Sequence, residues 1–581
     1  MALLCYLLIS FQACSGDFNQ DQDVNLADLH MACPAWLTAN SSFDLDASGQ
    51  IDIRDLIMVA SQMANPACHP PGDQPIIVRF EVQSPSILMG QQVTLEWEVL
   101  NATGVHLTGI STVPATGTAS FTVDAPLKTY SLIATNANGS AARKLDVVAD
   151  NPPAAQTWHV APSGSDVPSN GSAGSPFLTP QYAHDRANPG DTILLHNGTY
   201  GRIDIQKPNL TVRSAPGEWA HLSQPTTDSN INQTVRIRQN AWNTRLENLE
   251  ISGGYYYGIK LETTYDWGQP TRYGANNVSL IGCEIHDTGR DCVKVTPFCH
   301  NLLIDNCDIH NSGVRDNSNA EGLDVVNGHL IEVRDSHFHA IATNGLYFKG
   351  GSILSRVERC LIEDTGGMGI GLGFDTSPEW FDLDLNPLYY ESLDNVAVNN
   401  LIRHTNYAGI GIYGSIRAFF AHNTLIDVAQ GGQSAITFGV PLHDWEFETV
   451  SPSTQVTGRN NVLYQPSGAS QRALEIRLTE GLSALDGFPD FSHQIYFAVN
   501  GGLQFRDARS GSSLVFDYNQ WLAHSGTDAN SLLQNPNLDA DGLLLIGSPA
   551  INSGLDVGVD VDRLGTLRDP NPDRGCHEFV P

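Results

Sequence analysis

The chain has 581 residues, of which 41% are hydrophobic and only 16% charged, with 53 glycines and 31 prolines. This composition excludes a disordered protein and favours a turn-rich, strand-rich chain of about three or four domains. The formal net charge of −32 argues against a nucleic-acid partner, because phosphate binding requires a basic surface.

Residues 1–14 form an apolar leader that is similar to the central part of a signal peptide but has no basic segment before it. We therefore expect a secreted or cell-surface protein, and whether Cys14 carries a lipid stays open. After the leader no run of 18 apolar residues occurs, so no transmembrane segment is expected.

Residues 15–68 contain two twelve-residue segments in which oxygen-bearing side chains recur at the spacing of a calcium loop. Calcium takes six to eight oxygen ligands, and a twelve-residue loop wraps one ion in this way. An apolar helical segment follows each loop, so the pattern predicts a small α-helical module with Ca²⁺ as its cofactor. The predicted ligands are Asp17, Asn19, Asp21, Asn25 and Asp28 in the first loop, and Asp44, Asp46, Ser48, Asp52 and Asp55 in the second.

The paired loops, with aspartate rather than glutamate at position 12, resemble a dockerin. The resemblance implies calcium binding and a cohesin-type partner. However, Gln22 replaces the glycine usual at position 6, and the positions that read the partner are not a matched polar pair. A calcium-stabilised cap without a partner is therefore an equal alternative.

Residues 75–149 show short alternating strands such as Ile76–Phe80, Val93–Val99 and Tyr130–Ala134. Strands of this length with frequent turns predict a small β-sandwich, in which Trp97 is a core residue. The closing segment Ala134–Ala141 resembles bacterial immunoglobulin-like domains. We expect a spacer, and a carbohydrate-binding role is the alternative.

From residue 155 onward the sequence repeats with a period near 24 residues. Short apolar segments beginning at Cys283, Cys307, Ser336 and Cys360 are separated by 24, 29 and 24 residues. A fixed period of this kind predicts stacked coils, each burying one face against its neighbours. The fold prediction for 155–581 is thus a mainly β protein, a right-handed parallel β-helix, with the segment from 548 to 578 as a cap over its open end.

The opening of this region, Trp158–Asp166 followed by Pro189–Ile193 and Asn197–Tyr200, resembles right-handed parallel β-helix proteins, including family 9 polysaccharide lyases. In that family, the resemblance implies, aspartate-bound calcium neutralises a substrate carboxylate and a lysine removes the proton at C5. The implied function is cleavage of a uronate-containing polysaccharide by a secreted bacterial lyase. We expect a monomer.

A second strand of each coil follows a glycine-rich turn, and its alternation predicts which side chains point outward. Lys260, Lys294, Asp324 and Tyr347 should form one exposed ladder on successive coils, with Lys349 diagonal to Asp324. Asp291 and Glu321 lie at the adjoining turns. Such a cluster in an acidic protein favours a site over a solvated strand surface.

The candidate catalytic residues are therefore Lys294, Lys349, Asp324, Glu321 and Asp291. Lys294 or Lys349 is the candidate base, since a lysine among lysines loses its proton more readily. The three carboxylates are candidate calcium ligands. Candidate substrate-binding residues are Lys260, Tyr347, Tyr413 and Trp380, the last on an insertion at about 374–395 that either stacks on sugar or pins itself to the coils.

Two further interpretations stay open. A glycoside hydrolase would use two of the carboxylates Asp291, Glu321 and Asp324, and a non-catalytic surface protein would bind glycans along the same face. His286, His310 and His339 are expected to form an outward column. That column is either a metal site or a stack that shares hydrogen bonds with Asp287 or Asn311.

Overall fold

The computed structural model describes residues 74–84, 86–263, 273–442 and 451–580. Within those ranges the chain is almost entirely strand, with two short α-helices, α1 (Pro180–Arg186) and α2 (Tyr518–Ser525), and one 3₁₀ turn at Pro378–Trp380. No helix in the described part of the chain is long and apolar enough to cross a membrane. The predicted calcium-loop module, residues 15–68, lies outside the described residues, so calcium binding there stays a prediction.

Residues 76–148 form two antiparallel sheets that share a hydrophobic core. Trp97 is buried in that core, as its place on an alternating strand predicts, and its indole nitrogen donates a hydrogen bond to the Pro114 carbonyl. One sheet contains β1 (Ile76–Val82), β2 (Gln92–Leu100) and β5 (Thr116–Thr122); the other contains β3 (Gly104–Leu107), β4 (Ser111–Thr112), β6 (Leu127–Asn136) and β7 (Gly139–Val148). Membership of the immunoglobulin-like class stays a prediction.

From residue 157 the chain winds through three long parallel sheets. The first, here called the cleft sheet, consists of β11 (Ile203–Ile205), β14 (Gln233–Ile237), β17 (Tyr257–Leu261), β20 (Val293–Val295), β23 (Leu323–Val326), β26 (Leu346–Lys349), β30 (Ile370–Leu372), β34 (Ile410–Tyr413), β38 (Ile436–Gly439), β41 (Arg472–Ile476), β46 (Gln504–Asp507) and the antiparallel β47 (Leu514–Phe516).

The second, here called the histidine sheet, consists of β10 (Gly198–Tyr200), β13 (Ala220–Gln224), β16 (Leu249–Gly253), β19 (Glu284–His286), β22 (Asp308–His310), β25 (His337–Ile341), β29 (Leu361–Thr365), β33 (Leu401–Thr405), β37 (Thr424–Ile426), β40 (Val462–Gln465) and β45 (Ile495–Ala498).

The third sheet consists of β8 (Thr157–Val160), β9 (Thr192–Leu195), β12 (Thr211–Ser214), β15 (Arg245–Glu247), β18 (Val278–Ile281), β21 (Leu302–Asp305), β24 (Glu332–Arg334), β28 (Arg356–Glu358), β32 (Val396–Val398), β36 (Phe419–Ala421), β39 (Thr457–Arg459) and β44 (Asp490–Ser492). Short strands β27 (Ser352–Ile353), β31 (Ser392–Leu393) and β35 (Ser415–Ile416) form a small extra sheet, and β42 (Leu478–Thr479) and β43 (Leu482–Ser483) form a hairpin.

This arrangement confirms the predicted right-handed parallel β-helix. Alternate residues of each strand point into a single continuous core, because successive side chains of a strand lie on opposite faces. The predicted inward pairs of the cleft sheet are fully buried there: Ile259 and Leu261, Val293 and Val295, Leu323 and Val325, Leu346 and Phe348. Cys283, Cys307 and Cys360 are buried in the same core, as predicted.

A ladder of buried side-chain amides crosses the later coils. The Nδ2 atom of Asn400 donates to Oδ1 of Asn423 at 3.0 Å, Asn423 donates to Asn461 at 2.9 Å, and Asn461 donates to Gln494 at 3.0 Å. Each amide also bonds to the backbone of a neighbouring coil, so these buried polar groups are satisfied.

The two ends of the coil stack are covered by the short helices. Ala183 of α1 and Trp521 of α2 both belong to the main core, and they cover edges that would otherwise expose unpaired backbone groups. The C-terminal segment differs from its prediction. Instead of lying over the open end, it packs along the outside of the histidine sheet, where Ala550 and Cys576 contact Leu401 and Val462.

The predicted insertion is the 373–391 loop between β30 and β31. It packs against the sandwich, because Thr112 donates to Asp384 at 2.6 Å and Thr135 donates to the Leu385 carbonyl at 2.9 Å. Beneath it His106 of the sandwich is buried against His300 and His329 of the coils. The sandwich is therefore held on the side of the β-helix by this loop and by buried contacts.

Candidate functional site

The outward column of the cleft sheet has the predicted register. Lys260 pairs with Lys294, Lys294 with Asp324, and Asp324 with Tyr347, while Lys349 pairs with Val326 and so lies diagonal to Asp324. The prediction that the whole column is exposed is wrong, since Asp324 and Tyr347 are each only 1% exposed. Tyr347 is covered by Phe374, whose ring stacks on it with centroids 5.4 Å apart.

Asp291 and Glu321 come together with Asp324, a member of this column. Their side chains are buried, and one oxygen from each lies within 4.8 Å of the other two. Oε1 of Glu321 accepts hydrogen bonds from Thr343 and Asn344 at 2.9 and 3.2 Å, whereas Oε2 of Glu321 and Oδ1 of Asp324 have no hydrogen-bond partner. Two orphaned carboxylate oxygens in a buried cluster are polar groups that a bound cation would satisfy.

The electrostatics of the cluster follow from its burial. Burial, and then repulsion by Glu321 and Asp324, raises the pKa of Asp291 well above its usual value. Burial and the charge of Asp324 likewise raise the pKa of Glu321. Burial opposes ionisation of Asp324 too, but the charges of the nearby Lys294 and Lys349 lower the pKa of Asp324 overall.

Lys294 donates a hydrogen bond to Oδ2 of Asp324 and forms a partly buried ion pair with it. Burial lowers the pKa of Lys294, but the charges of Asp324 and Asp291 outweigh burial and raise the pKa overall. The expectation that neighbouring lysines leave Lys294 with a lowered pKa is therefore wrong. The buried carboxylates of Asp324 and Asp291 keep Lys294 charged instead.

Above the carboxylates lies an open cleft of about 520 Å³ that collects positive charge. Four cations line it, among threonine, serine and proline side chains and two acids. The lining residues are Arg236, Lys260, Glu262, Thr263, Lys294, Thr296, Pro297, Val326, Lys349, Asp375, Thr376, Ser377 and Trp380. The lining of the cleft is therefore positively charged, although the chain as a whole has a net charge of −32.

Arg236 is a cleft residue that the sequence analysis missed. It pairs with Lys260 in the strand register, one coil earlier, and its Nε donates to Oε2 of Glu262 at 2.6 Å. The same alternation that predicted Lys260 would have found Arg236 if the alignment had been extended one coil towards the N-terminus. Lys260 also contacts Glu262, at 3.1 Å.

Lys349 differs from the other three cations. Among the described carboxylates none lies within ion-pair distance, 4.0 Å, of its amine. The Nζ atom lies 4.4 Å from the centre of the Tyr347 ring and 5.7 Å from that of Phe374, so aromatic faces orient the amine. Aromatic faces, rather than a carboxylate, therefore hold this amine at the cleft wall.

The predicted aromatic contacts divide into two groups. Trp380, at the end of the 3₁₀ turn, lines the cleft and its carbonyl accepts a hydrogen bond from Asn327, so the loop presents it beside the lysines. Tyr413 is only 5% exposed, packs with Met368 and Ala408, and accepts a hydrogen bond from Gln433. The predictions of surface contacts by Tyr413 and Tyr347 are therefore wrong, because both rings are covered.

Comparison with known proteins describes the fold. The family model for the right-handed beta helix region matches residues 272–440, and no curated protein matches the chain. Among solved structures, pectate lyase Pel9A is 15% identical with a TM-score of 0.43, over 73% of this chain and 96% of its own. An alginate lyase from Paenibacillus sp. is 18% identical with a TM-score of 0.39, over 53% and 98%.

A mannuronan C-5 epimerase module from Azotobacter vinelandii is 15% identical with a TM-score of 0.37, over 53% of this chain and 85% of its own. All three TM-scores are below 0.5, so the chemistry of the cleft is inferred from its residues.

Proposed function

We propose that this protein is a secreted bacterial polysaccharide lyase that requires calcium and cleaves a uronate-containing polymer by β-elimination. The observation that carries the proposal is the cleft lined by Arg236, Lys260, Lys294 and Lys349 on an otherwise acidic protein. A polyanion is repelled by most of such a surface but attracted to a cleft of opposite sign. Parallel coils also provide a long groove that suits an extended chain.

The geometry supports different roles for the four cations. Arg236 and Lys260 are held in place by Glu262 and present donors to a substrate carboxylate. Lys294 is engaged by Asp324, so its ammonium maintains charge rather than accepting a proton. Lys349 lines the cleft and has no carboxylate within ion-pair distance among the described residues, so it is the proposed base.

In the proposed reaction Nζ of Lys349 removes the proton at C5 of a uronate residue. The electron pair of that C–H bond forms a C4=C5 double bond, the bond from C4 to the glycosidic oxygen breaks, and that oxygen leaves with a proton taken from solvent. Trp380 offers an apolar face on which a neighbouring sugar ring stacks.

The chemistry of the buried carboxylates fits calcium, a hard cation with a preference for carboxylate oxygens. Asp291, Glu321 and Asp324 would hold it, and the two oxygens that lack hydrogen-bond partners would be among its ligands. Calcium bound there would add positive charge under the place where the substrate carboxylate lies. The predicted calcium loops and any cohesin-type partner are separate proposals that concern residues 15–68.

A glycan-binding protein without activity is the second candidate. The burial of all three carboxylates favours it, because none can touch a polymer in the cleft. The same burial weighs against a glycoside hydrolase that uses Asp291, Glu321 or Asp324. A hydrolase needs two carboxyl groups at the surface, about 5–9.5 Å apart, on either side of the scissile bond.

The test is to incubate the full chain with a panel of uronate and neutral polysaccharides, once with calcium and once with chelator. A lyase gives unsaturated products, which absorb near the ultraviolet edge, from uronate polymers in calcium only. New reducing ends without that absorbance would indicate a hydrolase instead. Binding to uronate polymers without any new ends would support the second candidate, and equal action on neutral polymers would contradict the role of the basic cleft.

A further inference from the structure

The outer face of the histidine sheet carries a second concentration of chemistry-bearing side chains. In one outward column His286, His310 and His339 stack on successive coils, with ring centroids 4.9 and 4.6 Å apart, as the sequence predicts. The adjoining column carries His221, Glu250, Glu284 and Asp308 in register. This strip belongs to a different sheet from the cleft, and the proposed reaction uses none of it.

Three of these residues converge from three consecutive strands. Oε1 of Glu250 on β16 lies 3.5 Å from Nδ1 of His221 on β13 and 3.4 Å from Nε2 of His286 on β19. One ligand atom from each residue lies within 4.8 Å of the other two. Their side chains are 13–26% exposed, so an ion from solvent can reach them.

The other ring nitrogens of both histidines are already engaged. Nε2 of His221 is 2.7 Å from the Ser252 hydroxyl, and Nδ1 of His286 is 3.0 Å from Oδ2 of Asp287. These contacts leave Nδ1 of His221 and Nε2 of His286 as the ring nitrogens that face Oε1 of Glu250. An imidazole that donates from its far nitrogen presents a lone pair on the near one, which is the form that binds a metal ion.

The distances also suit a metal ion. Good N–H···O bonds measure about 2.7–3.2 Å, so the hydrogen bond between His286 and Glu250 is long at 3.4 Å and the His221 contact is longer still at 3.5 Å. Zinc holds imidazole nitrogen and carboxylate oxygen at about 2.0–2.1 Å, which places neighbouring ligands of a tetrahedron about 3.3–3.4 Å apart. Carboxylate and serine partners on the far side of each imidazole are also the usual support of ligating histidines.

We propose that Glu250, His221 and His286 bind a divalent transition-metal ion of the zinc class, with one coordination position left open. The ion links three successive coils of the β-helix. The neighbouring group of Asp308, His310 and His339 is a weaker candidate. There His339 lies 3.0 Å from Asp308, an ordinary hydrogen-bond distance, and His310 faces Glu284 instead.

The test is a calorimetric titration of the metal-free full chain with Zn²⁺ in excess calcium, which keeps other calcium sites filled. The wild type should bind Zn²⁺ at a site that Glu250→Gln and His286→Gln each weaken at least 100-fold. Asp287→Asn should weaken it about 10- to 100-fold, as expected for a residue that orients a ligand. His339→Gln is the matched control and should leave the affinity unchanged.

Two further readouts keep the inference falsifiable if one variant folds poorly. Zn²⁺ should raise the melting temperature of the wild type and of His339→Gln but not of Glu250→Gln, and Co²⁺ should give the visible bands of a tetrahedral nitrogen and oxygen site. The proposal is overturned if wild type and Glu250→Gln bind Zn²⁺ equally, if His339→Gln alone abolishes binding, or if no Zn²⁺ binds. None of these outcomes depends on lyase activity.

Discussion

Replacing Lys294 by methionine tests the charge balance beneath the cleft. The change removes the ammonium that pairs with Asp324 and keeps a side chain of similar length. The paired side chains are 18% and 2% exposed, and two further buried carboxylates, Asp291 and Glu321, lie next to them. Removing one partner of a buried ion pair costs about 3–5 kcal/mol. In chelator at pH 7, we expect the free energy of unfolding of Lys294→Met to fall by that amount.

The pH dependence has a definite sign. Lys294 lowers the pKa of Asp324 in the folded protein, so the stabilisation is present above the unfolded value of about 3.9 and is lost as the pH falls below it. The difference between wild type and Lys294→Met should therefore be full at pH 7 and disappear below about pH 3.9. Urea unfolding followed by tryptophan fluorescence measures both curves.

Lys260→Met is the matched control from the same column. Its partner Glu262 keeps a second cation, Arg236, and the Lys260 side chain is 25% exposed, so the loss should be about 1 kcal/mol or less. If Lys294→Met loses no more stability than Lys260→Met, the ion pair does not neutralise the buried carboxylates, and the proposed charge balance beneath the cleft is wrong.

Three other predictions concern the cleft and its support. Lys349→Met should remain folded and lower the rate of unsaturated product formation by about 10²–10⁴-fold, as for loss of a general base; an active variant would contradict its role. Trp380→Ala should raise KM about 2- to 10-fold at constant kcat, the effect of one lost stacking contact, measured by the same absorbance. Burial and His106 lower the pKa of His329 to about 3, so the free energy of unfolding should fall as the pH drops from about 6.5 towards 3. In urea unfolding, His329→Gln should show a smaller fall over this pH range, and an equal fall in both proteins would contradict the prediction.

The strand register of the site was predictable because it depends only on local periodicity. Inward residues such as Val293 and Val295 follow from alternation, and the pairing of Lys294 with Asp324 follows from the repeat length. Arg236 obeys the same rule one coil earlier. The repeat period therefore determines which side chains are neighbours on one face of the β-helix.

Exposure was not predictable in the same way, because it depends on what covers the face. Tyr347 is buried by Phe374, which belongs to the non-repeating 373–391 loop, and the sandwich that holds this loop joins it through contacts of more than 200 residues in sequence separation. The path of the C-terminal segment along the histidine sheet likewise depends on contacts between residues far apart in the sequence. Such long-range contacts leave no periodic signal in the sequence.

The buried amide ladder also bears on how such a molecule changes through evolution. Each side-chain amide from Asn400 to Asn461 donates to the next amide towards the C-terminus. Removing half a coil would therefore leave one donor and one acceptor without a hydrogen-bond partner. Gain or loss of a complete turn would preserve the series, and the long segment before Asn400 enters at a bend without breaking it. The ladder therefore tolerates a change of length by whole turns and loops of any length between them.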